Sequence, residues 1–469
     1  MRRQEYKQKK RKKIIIFLLT TLVICVLIYM ALKNPTTNDV EPKRKAHINH
    51  TVQKPNNITQ TPEQYGANGF DKKPDTAALQ KAINNGDTVM LKSSARYIID
   101  KTLVIDHSIK IKTDGNHAAA ILQKEKKSAL VFDNKSTVNT YVTSYIPKNQ
   151  PFVVLASTKG IQPGDLLELK SSKLWYWDDR GYLTKGELHK VIKLDGNKVY
   201  LERPIVENYL VGNGELVSVT AYPNVSFTLD NISFLHSKPY NTVMLQVNFA
   251  SNAQLDRISV TNSKRIGILL NNTYQTKVSH ANIDLGTTKD IDTGYGIQDF
   301  GGSGTLITDS QFRRVRRGVD FSGNIPSRYG IVQNSKAIGY KKGSLASGNS
   351  GFGTHSTAEY ITFKNNYIEN FNYAFLVRGR EITVEDNILR GFSSNFIAVS
   401  YGDQVRVINN KYLSVQNSSI SGFILIPKTY NGSLEAFGNV ASGQNGPFIK
   451  GDIDQLKSLT LKENVSKSK

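Results

Sequence analysis

The chain has one cysteine in 469 residues, Cys25. It lies inside an apolar run, so everything beyond that run has neither a disulfide nor thiol chemistry. Stability there must come from burial and hydrogen bonds. Acidic residues are also scarce, 39 against 61 basic ones, for a formal net charge of +22. Helix-forming residues do not dominate, and no heptad pattern of a coiled coil is present. No nucleic-acid-binding motif appears, and no acidic cluster marks a metal site. What is abundant is Asn, Gly, Ser, Thr and β-branched residues, which favour many short strands joined by turns. Hydrophobic residues make up 39% of the chain, enough for a sizeable core. The length suits two or three ordinary domains, but elongated β folds break that rule.

The N-terminus reads as a membrane signal. MRRQEYKQKKRKK, residues 1–13, carries eight basic residues and one acid. Residues 14–32, IIIFLLTTLVICVLIYMAL, hold no charge. About 20 apolar residues span the hydrocarbon core as a helix. The basic flank then stays cytoplasmic and the rest of the chain is exported. A cleaved signal peptide is the competing reading, but Tyr29-Met30-Ala31-Leu32-Lys33 makes a poor cleavage site. Residues 33–60 are polar and aperiodic and read as an extracytoplasmic linker. HINH, His47 to His50, has metal-like spacing but falls in this linker.

The tail contributes +7, which leaves +15 on the remainder. That excess points to a polyanionic partner. For an exported chain the candidates are acidic polysaccharide, teichoic acid and anionic lipid rather than nucleic acid. A generic basic surface is the plain alternative.

The second half repeats. FTLDNISF, AQLDRISV, KVSHANIDL, LITDSQF, IVQNSKAI, ITFKNNYI, ITVEDNIL and VRVINNKY are short alternating runs with Asn, Asp or Ser near their ends. Their last apolar anchors, from Ile232 to Tyr412, are 21 to 31 residues apart. Each is followed by a second run, such as IGILLNN, RGVDFSG, SGFGTHS and YAFLVRG. Period-2 alternation buries one face of each. Two strands per repeat with Asn at the turns predict a parallel β-solenoid, in which Asn stacks in ladders and tolerates left-handed backbone. A β-propeller would need blade motifs that are absent.

QYGANGFDKKPDTAALQKAINNGDTVMLKSSARYIIDKTLVI, residues 64–105, resembles the opening of the pectate-lyase-superfamily right-handed β-helix. There a "YGA-G-D-TAALQKAI" segment forms a capping helix ahead of the first coil. Pro74 and the apolar set Ala78, Leu79, Ala82 and Ile83 fit a short amphipathic helix. The resemblance implies an all-β, right-handed parallel β-helix acting on polysaccharide, as lyase, hydrolase or epimerase. It leaves a homotrimer open. The expected organisation is cap and first coils at 61–122, a small β insertion at 123–224, regular coils at 225–450 and a C-terminal tail at 451–469. The insertion, exemplified by residues 163–205, resembles that of phage-tailspike-like members. Its Trp175, Tyr176 and Trp177 either stack on sugar rings or pack the insertion onto the helix, and packing is favoured.

Aligning the second runs predicts inward residues Ile268, Ile297, Val319, Phe352, Phe375, Ile397 and Phe423. One outward column then holds Gln298, Asp320 and Gly353, and the next holds Ser322, His355, Arg378 and Ser400. Arg378 lies one coil, about 4.8 Å, from His355, and Asp320 about 8 Å away. Gly353 leaves room on the face. Tyr401 begins the following turn. Lysis of a uronic-acid polymer needs a cation on the carboxylate, a base for the α-proton and an acid for the leaving oxygen. Arg378, His355 and Tyr401 suit those roles, with Asp320 orienting His355 or holding a cation. Gln298, Arg317, Ser322, Lys341 and Lys342 are candidate substrate contacts. The RRVRR stretch, 313–317, either rims a groove or is a solvated edge around one buried valine.

SGFGTHST also resembles the "YGFDPHE" motif of alginate epimerases. The match is at His355, while Ser350 stands at the motif's tyrosine and Gly353 at its aspartate. Polygalacturonase motifs are absent. Hydrolysis wants two carboxylates about 5–9.5 Å apart. Only Asp320 is expected on the face, and Asp299 would join it only if the register slipped. The main expectation is a membrane-anchored, extracellular polysaccharide lyase without a cofactor, Ca²⁺ being left open. A hydrolase of glycosidic or teichoic-acid-type bonds and a non-catalytic polysaccharide binder are the alternatives.

Overall fold

The computed structural model describes residues 58–175, 184–286, 294–339, 349–391, 393–413, 420–443 and 446–467. The basic tail, the apolar 14–32 run, Cys25, HINH and nearly all of the linker lie outside them. So do Tyr176, Trp177, Lys341 and Lys342. Among the described residues no helix is long and apolar enough to cross a membrane.

Successive coils stack as a right-handed parallel β-solenoid. Each regular coil carries three strands rather than the expected two. Gln254–Asp256, Ser259–Ser263 and Ile266–Asn271 form one such coil. The extra division comes from the first run, which breaks at a left-handed residue. φ is +52° at Arg257, His280 and Asp309, +51° at Asn334, +53° at Asn365 and +54° at Asn409. The chain turns there, and the next residues enter a different sheet. One ladder of 12 strands runs from Arg96–Ile99 to Val465–Lys467. The other two ladders join into a 23-stranded sheet, because Tyr373–Glu385 and Asn395–Ile408 continue through the bend between them.

Immediately after the left-handed column, the expected asparagine stack is present. Asn366, Asn387, Asn410 and Asn439 each donate from Nδ2 to the Oδ1 of the next Asn in the stack, at 2.8–3.0 Å, ending on Asn464. Each Nδ2 also donates to a main-chain carbonyl, as Asn410 does to Val384 at 2.9 Å. These amides are thus satisfied where water cannot reach them, and an unpaired one would cost about 1–3 kcal/mol.

The core column is as predicted through Ile397, each member fully buried. Ile397 then pairs with Ile424, not Phe423, so the last expected position slips by one. Phe396, Phe423 and Phe448 stack within 4.5–4.9 Å. At the N-terminal end the helix Thr76–Asn85 buries the expected face, Ala78, Leu79, Ala82 and Ile83.

Three boundaries move. Thr59–Gln60 already pairs with Thr88–Val89, so the fold starts inside the expected linker. Leu130–Asp133 belongs to the solenoid, and the separate six-stranded sheet runs from Val138–Tyr141 to Val217–Tyr222. Ser458–Lys462 and Val465–Lys467 continue the ladders, so the expected tail contains the last coil.

Candidate functional site

The second-strand ladder holds Gln298, Asp320 and Gly353 in one column, as expected. Gln298 pairs with Asp320 and Asp320 with Gly353, while Phe300 pairs with Ser322. Asp320 and His355, on adjacent coils, come into direct contact. His355 Nδ1 lies 2.8 Å from Asp320 Oδ2. The main-chain N–H of His355 is fixed by the Phe321 carbonyl at 2.7 Å. Asp320 is fully buried, and its second oxygen accepts from Arg317 Nη1. Burial alone would raise the Asp320 pKa, but the charges and hydrogen bonds of His355 and Arg317 outweigh it and lower the value. For His355 burial dominates and lowers the pKa. Asp320 opposes that effect, and Arg317 and Arg378 add to it. The imidazole is therefore neutral near pH 7. Its Nδ1–H donates to the Asp320 carboxylate, and Nε2 keeps the lone pair. That nitrogen has no hydrogen-bond partner among the described residues, and the side chain is 20% exposed.

Arg378 is held one coil further on. Thr354 Oγ1 donates to the Arg378 carbonyl and accepts from the Arg378 N–H, at 2.5 and 2.8 Å. Its guanidinium lies 5.5 Å from the centre of the Tyr401 ring. Tyr401 itself has a left-handed backbone, φ +47°, at the bend.

Other expectations change. Arg317 is not a rim residue. It is 2% exposed and committed to Asp320, because leaving that carboxylate alone in the interior is costly. Ser322 is buried and accepts from half-buried Gln298 Nε2 at 3.1 Å, so the two bind each other. Gly353 is required by packing, since a Cβ there would sit 2.6 Å from the Leu376 carbonyl oxygen. Asp299 stays inward, held by Ser327, Thr305 and the Gly302 N–H, and is no second carboxylate on this face. Lys341 and Lys342 lie outside the described residues. Among the described residues no three His, Cys, Asp or Glu side chains gather as a metal site.

Tyr295 was missed. It occupies the same register column as Arg317 and Ser350. Its ring meets His355 edge-on, centroids 6.4 Å apart, and its hydroxyl accepts from Arg316 Nη1 at 3.0 Å. Burial raises its pKa, so it is a protonated phenol. The column is the one that holds the tyrosine of the epimerase-like motif, and Asp320 fills the aspartate column at Gly353. Residues on neighbouring coils thus occupy the two columns where SGFGTHST departs from that motif.

A second charged cluster joins the insertion to the solenoid. Arg328, 3% exposed, donates to Glu359, to the Gly186 carbonyl and to Glu207. Glu187 accepts from Tyr209 and from the N–H groups of Val206 and Glu207, and its Oε2 lies 2.8 Å from His189 Nε2. Trp175 donates to Glu207 at 2.7 Å and lies 4.4 Å beneath the Arg380 guanidinium. The favoured packing role thus describes Trp175.

No family model matches the chain. A capsule K1-specific depolymerase of Klebsiella phage K64-1 is 24% identical over 260 residues, covering 53% of this chain and 28% of that protein. The chain thus matches little more than a quarter of its curated relative. Among solved structures, the gp61 tailspike of Pseudomonas phage phi297 superposes with a TM-score of 0.71 at 16% identity, over 88% of this chain and 75% of that one. The Gp54 tailspike of Acinetobacter baumannii phage AP22, solved with capsular saccharide, gives 0.65 at 14% identity, over 87% and 76%. These likenesses show the tailspike-type solenoid fold.

Proposed function

We propose that this protein cleaves an acidic polysaccharide by β-elimination, outside a membrane to which the 14–32 segment anchors it. The observation that carries the chemistry is the pairing of His355 Nδ1 with buried Asp320, which leaves Nε2 basic on an accessible face. The polysaccharide partner is supported by the depolymerase relative and the saccharide-bound tailspike.

Arg378 binds the uronate carboxylate and acidifies the adjacent C–H. His355 Nε2 takes that proton. The electron pair forms the C=C bond, and the bond to the glycosidic oxygen breaks. That oxygen takes a proton from a phenol. Tyr295, protonated and against the His355 ring, suits this role better than Tyr401, which lies beyond Arg378. Asp320 holds the imidazole tautomer.

The test is to incubate the full chain and its His355→Ala variant with a panel of uronate polymers, with and without chelator. Ultraviolet absorbance follows the unsaturated uronate. A rise absent in the variant is expected. New reducing ends without absorbance would overturn elimination. Binding without products would make the protein a polysaccharide binder.

A further inference from the structure

The RRVRR stretch is divided by the corner it builds. Val315 is fully buried, Arg316 and Arg317 turn into the His355 site, and Arg313 and Arg314 are exposed. The exposed pair opens on a groove of about 430 Å³ lined by Asp284, Arg313, Arg314, Ile338 and Gly339. Asp284, Arg313 and Ile338 are register partners on three successive coils, so the groove runs along the solenoid axis for about 10 Å. Arg314 Nε donates to Asp284 Oδ1 at 2.5 Å, which balances the only carboxylate lining the groove among the described residues. Arg313 has no ion-pair partner among the described residues. Gly339 adds no side chain, because a Cβ there would lie 2.1 Å from the Asn370 carbonyl oxygen. The groove thus presents one uncompensated guanidinium beside bare backbone and the edge of Ile338.

We infer that this groove is a second anionic subsite, which takes the carboxylate of a sugar unit remote from the one at His355. The inference rests on the reading of the His355 face as a site for acidic polysaccharide. Arg313 and Arg317 are four residues apart, at most about 14 Å along the chain. Arg317 is itself buried beneath Asp320, so this span measures the width of the corner, and a polymer of several sugar units is long enough to cross it from the groove to the His355 face. The substrate class is then a chain with repeated carboxylates rather than one with a single acidic residue. An exposed guanidinium suits this, since it forms charge-assisted, paired hydrogen bonds to a carboxylate.

The test uses the full chain carrying His355→Ala, which holds substrate without turnover, and its Arg313→Gln derivative. Size-graded oligomers of galacturonate, mannuronate and glucuronate, and their methyl esters, are the probes in calorimetry. The expected result is about tenfold weaker binding of long oligomers by Arg313→Gln, unchanged binding of dimers, and no gain with length for the esters. Equal affinity of both proteins at every length overturns the subsite, as does failure to bind any probe. Product formation by the active chain is measured separately. Unsaturated product with no effect of Arg313→Gln keeps the lyase reading and removes the subsite. Length-dependent binding lost in Arg313→Gln, without unsaturated product from any polymer, keeps the subsite and removes the lyase.

Discussion

Three carboxylate–histidine pairs among the described residues meet at 2.8 Å; one, His280 with Asp256, is an exposed surface pair, and the other two have contrasting settings. Asp320 and His355 meet at 2.8 Å on the outer face of the solenoid, and Glu187 and His189 meet at 2.8 Å under the insertion. Arginine accompanies both. The first histidine is 20% exposed and the second 3%. The remaining ring nitrogen of His355 faces the accessible side, whereas Nδ1 of His189 is buried without a hydrogen-bond partner. Around Glu187 the donors Tyr209, Val206 and Glu207 belong to the insertion itself, and nearby Arg328 ties that insertion to the solenoid. Around Asp320 the donors position one nitrogen for something outside. A polar pair becomes a candidate for chemistry through what it leaves accessible, not through the strength of its own bond.

The comparison is broken most directly by exchanging the roles. His355→Ala is expected to lower turnover by about 10²–10⁴-fold with little change in melting temperature. His189→Ala should do the reverse, lowering the melting temperature while kcat per folded molecule stays constant. Loss of turnover in both would erase the distinction. Next in size, Arg328→Ala leaves buried Glu187 and Glu359 without that cation and should cost about 3–5 kcal/mol in denaturant unfolding. Activity of the folded fraction should persist.

A pH measurement sharpens the other side. His355 must be neutral to act, so activity falls as pH drops through its lowered pKa. The Arg378 charge helps keep that value low. Arg378→Ala should move the His355 titration, followed by NMR, to higher pH, and Asp320→Asn should move it lower. The unfolded chain binds the His355 proton first, so this group's stabilising contribution shrinks as pH falls below about 6.5. The smallest effect is expected for Trp175→Phe, which removes the bond to Glu207. It should cost about 1 kcal/mol in unfolding and leave turnover unaltered.

Much of this was legible because strand alternation is strict. From Ile268 to Ile397, counting by two along each second run separated inside from outside, and adjacent coils then placed Asp320 beside His355. The third strand was also written in the sequence, as a phase slip. Leu229 to Ile232 and Leu255 to Ile258 are three apart where continuous alternation demands two. Treating each run as one strand hid it. Arg317 was misread because a run of charges looks solvated, and only Asp320 behind it reveals why one member is buried. Tyr295 is two coils away from SGFGTHST. No linear pattern around SGFGTHST points to it, although the register column does. Lengths of loops gave no guide to Phe423 and Ile424, since one residue more or less before Gly422 changes which of them faces inward.

The candidate site draws on four successive rungs, with Tyr295, Asp320, His355 and Arg378 each on its own coil. Solenoids change by gaining or losing whole repeats, because each unit touches only its neighbours. Between Tyr295 and Arg378 that freedom is gone. One added turn there would part the partners by about 4.8 Å, more than a hydrogen bond can bridge. Turns added beyond Tyr401 would leave the constellation intact. The molecule thus has a segment of fixed length, with room for growth at its C-terminal end.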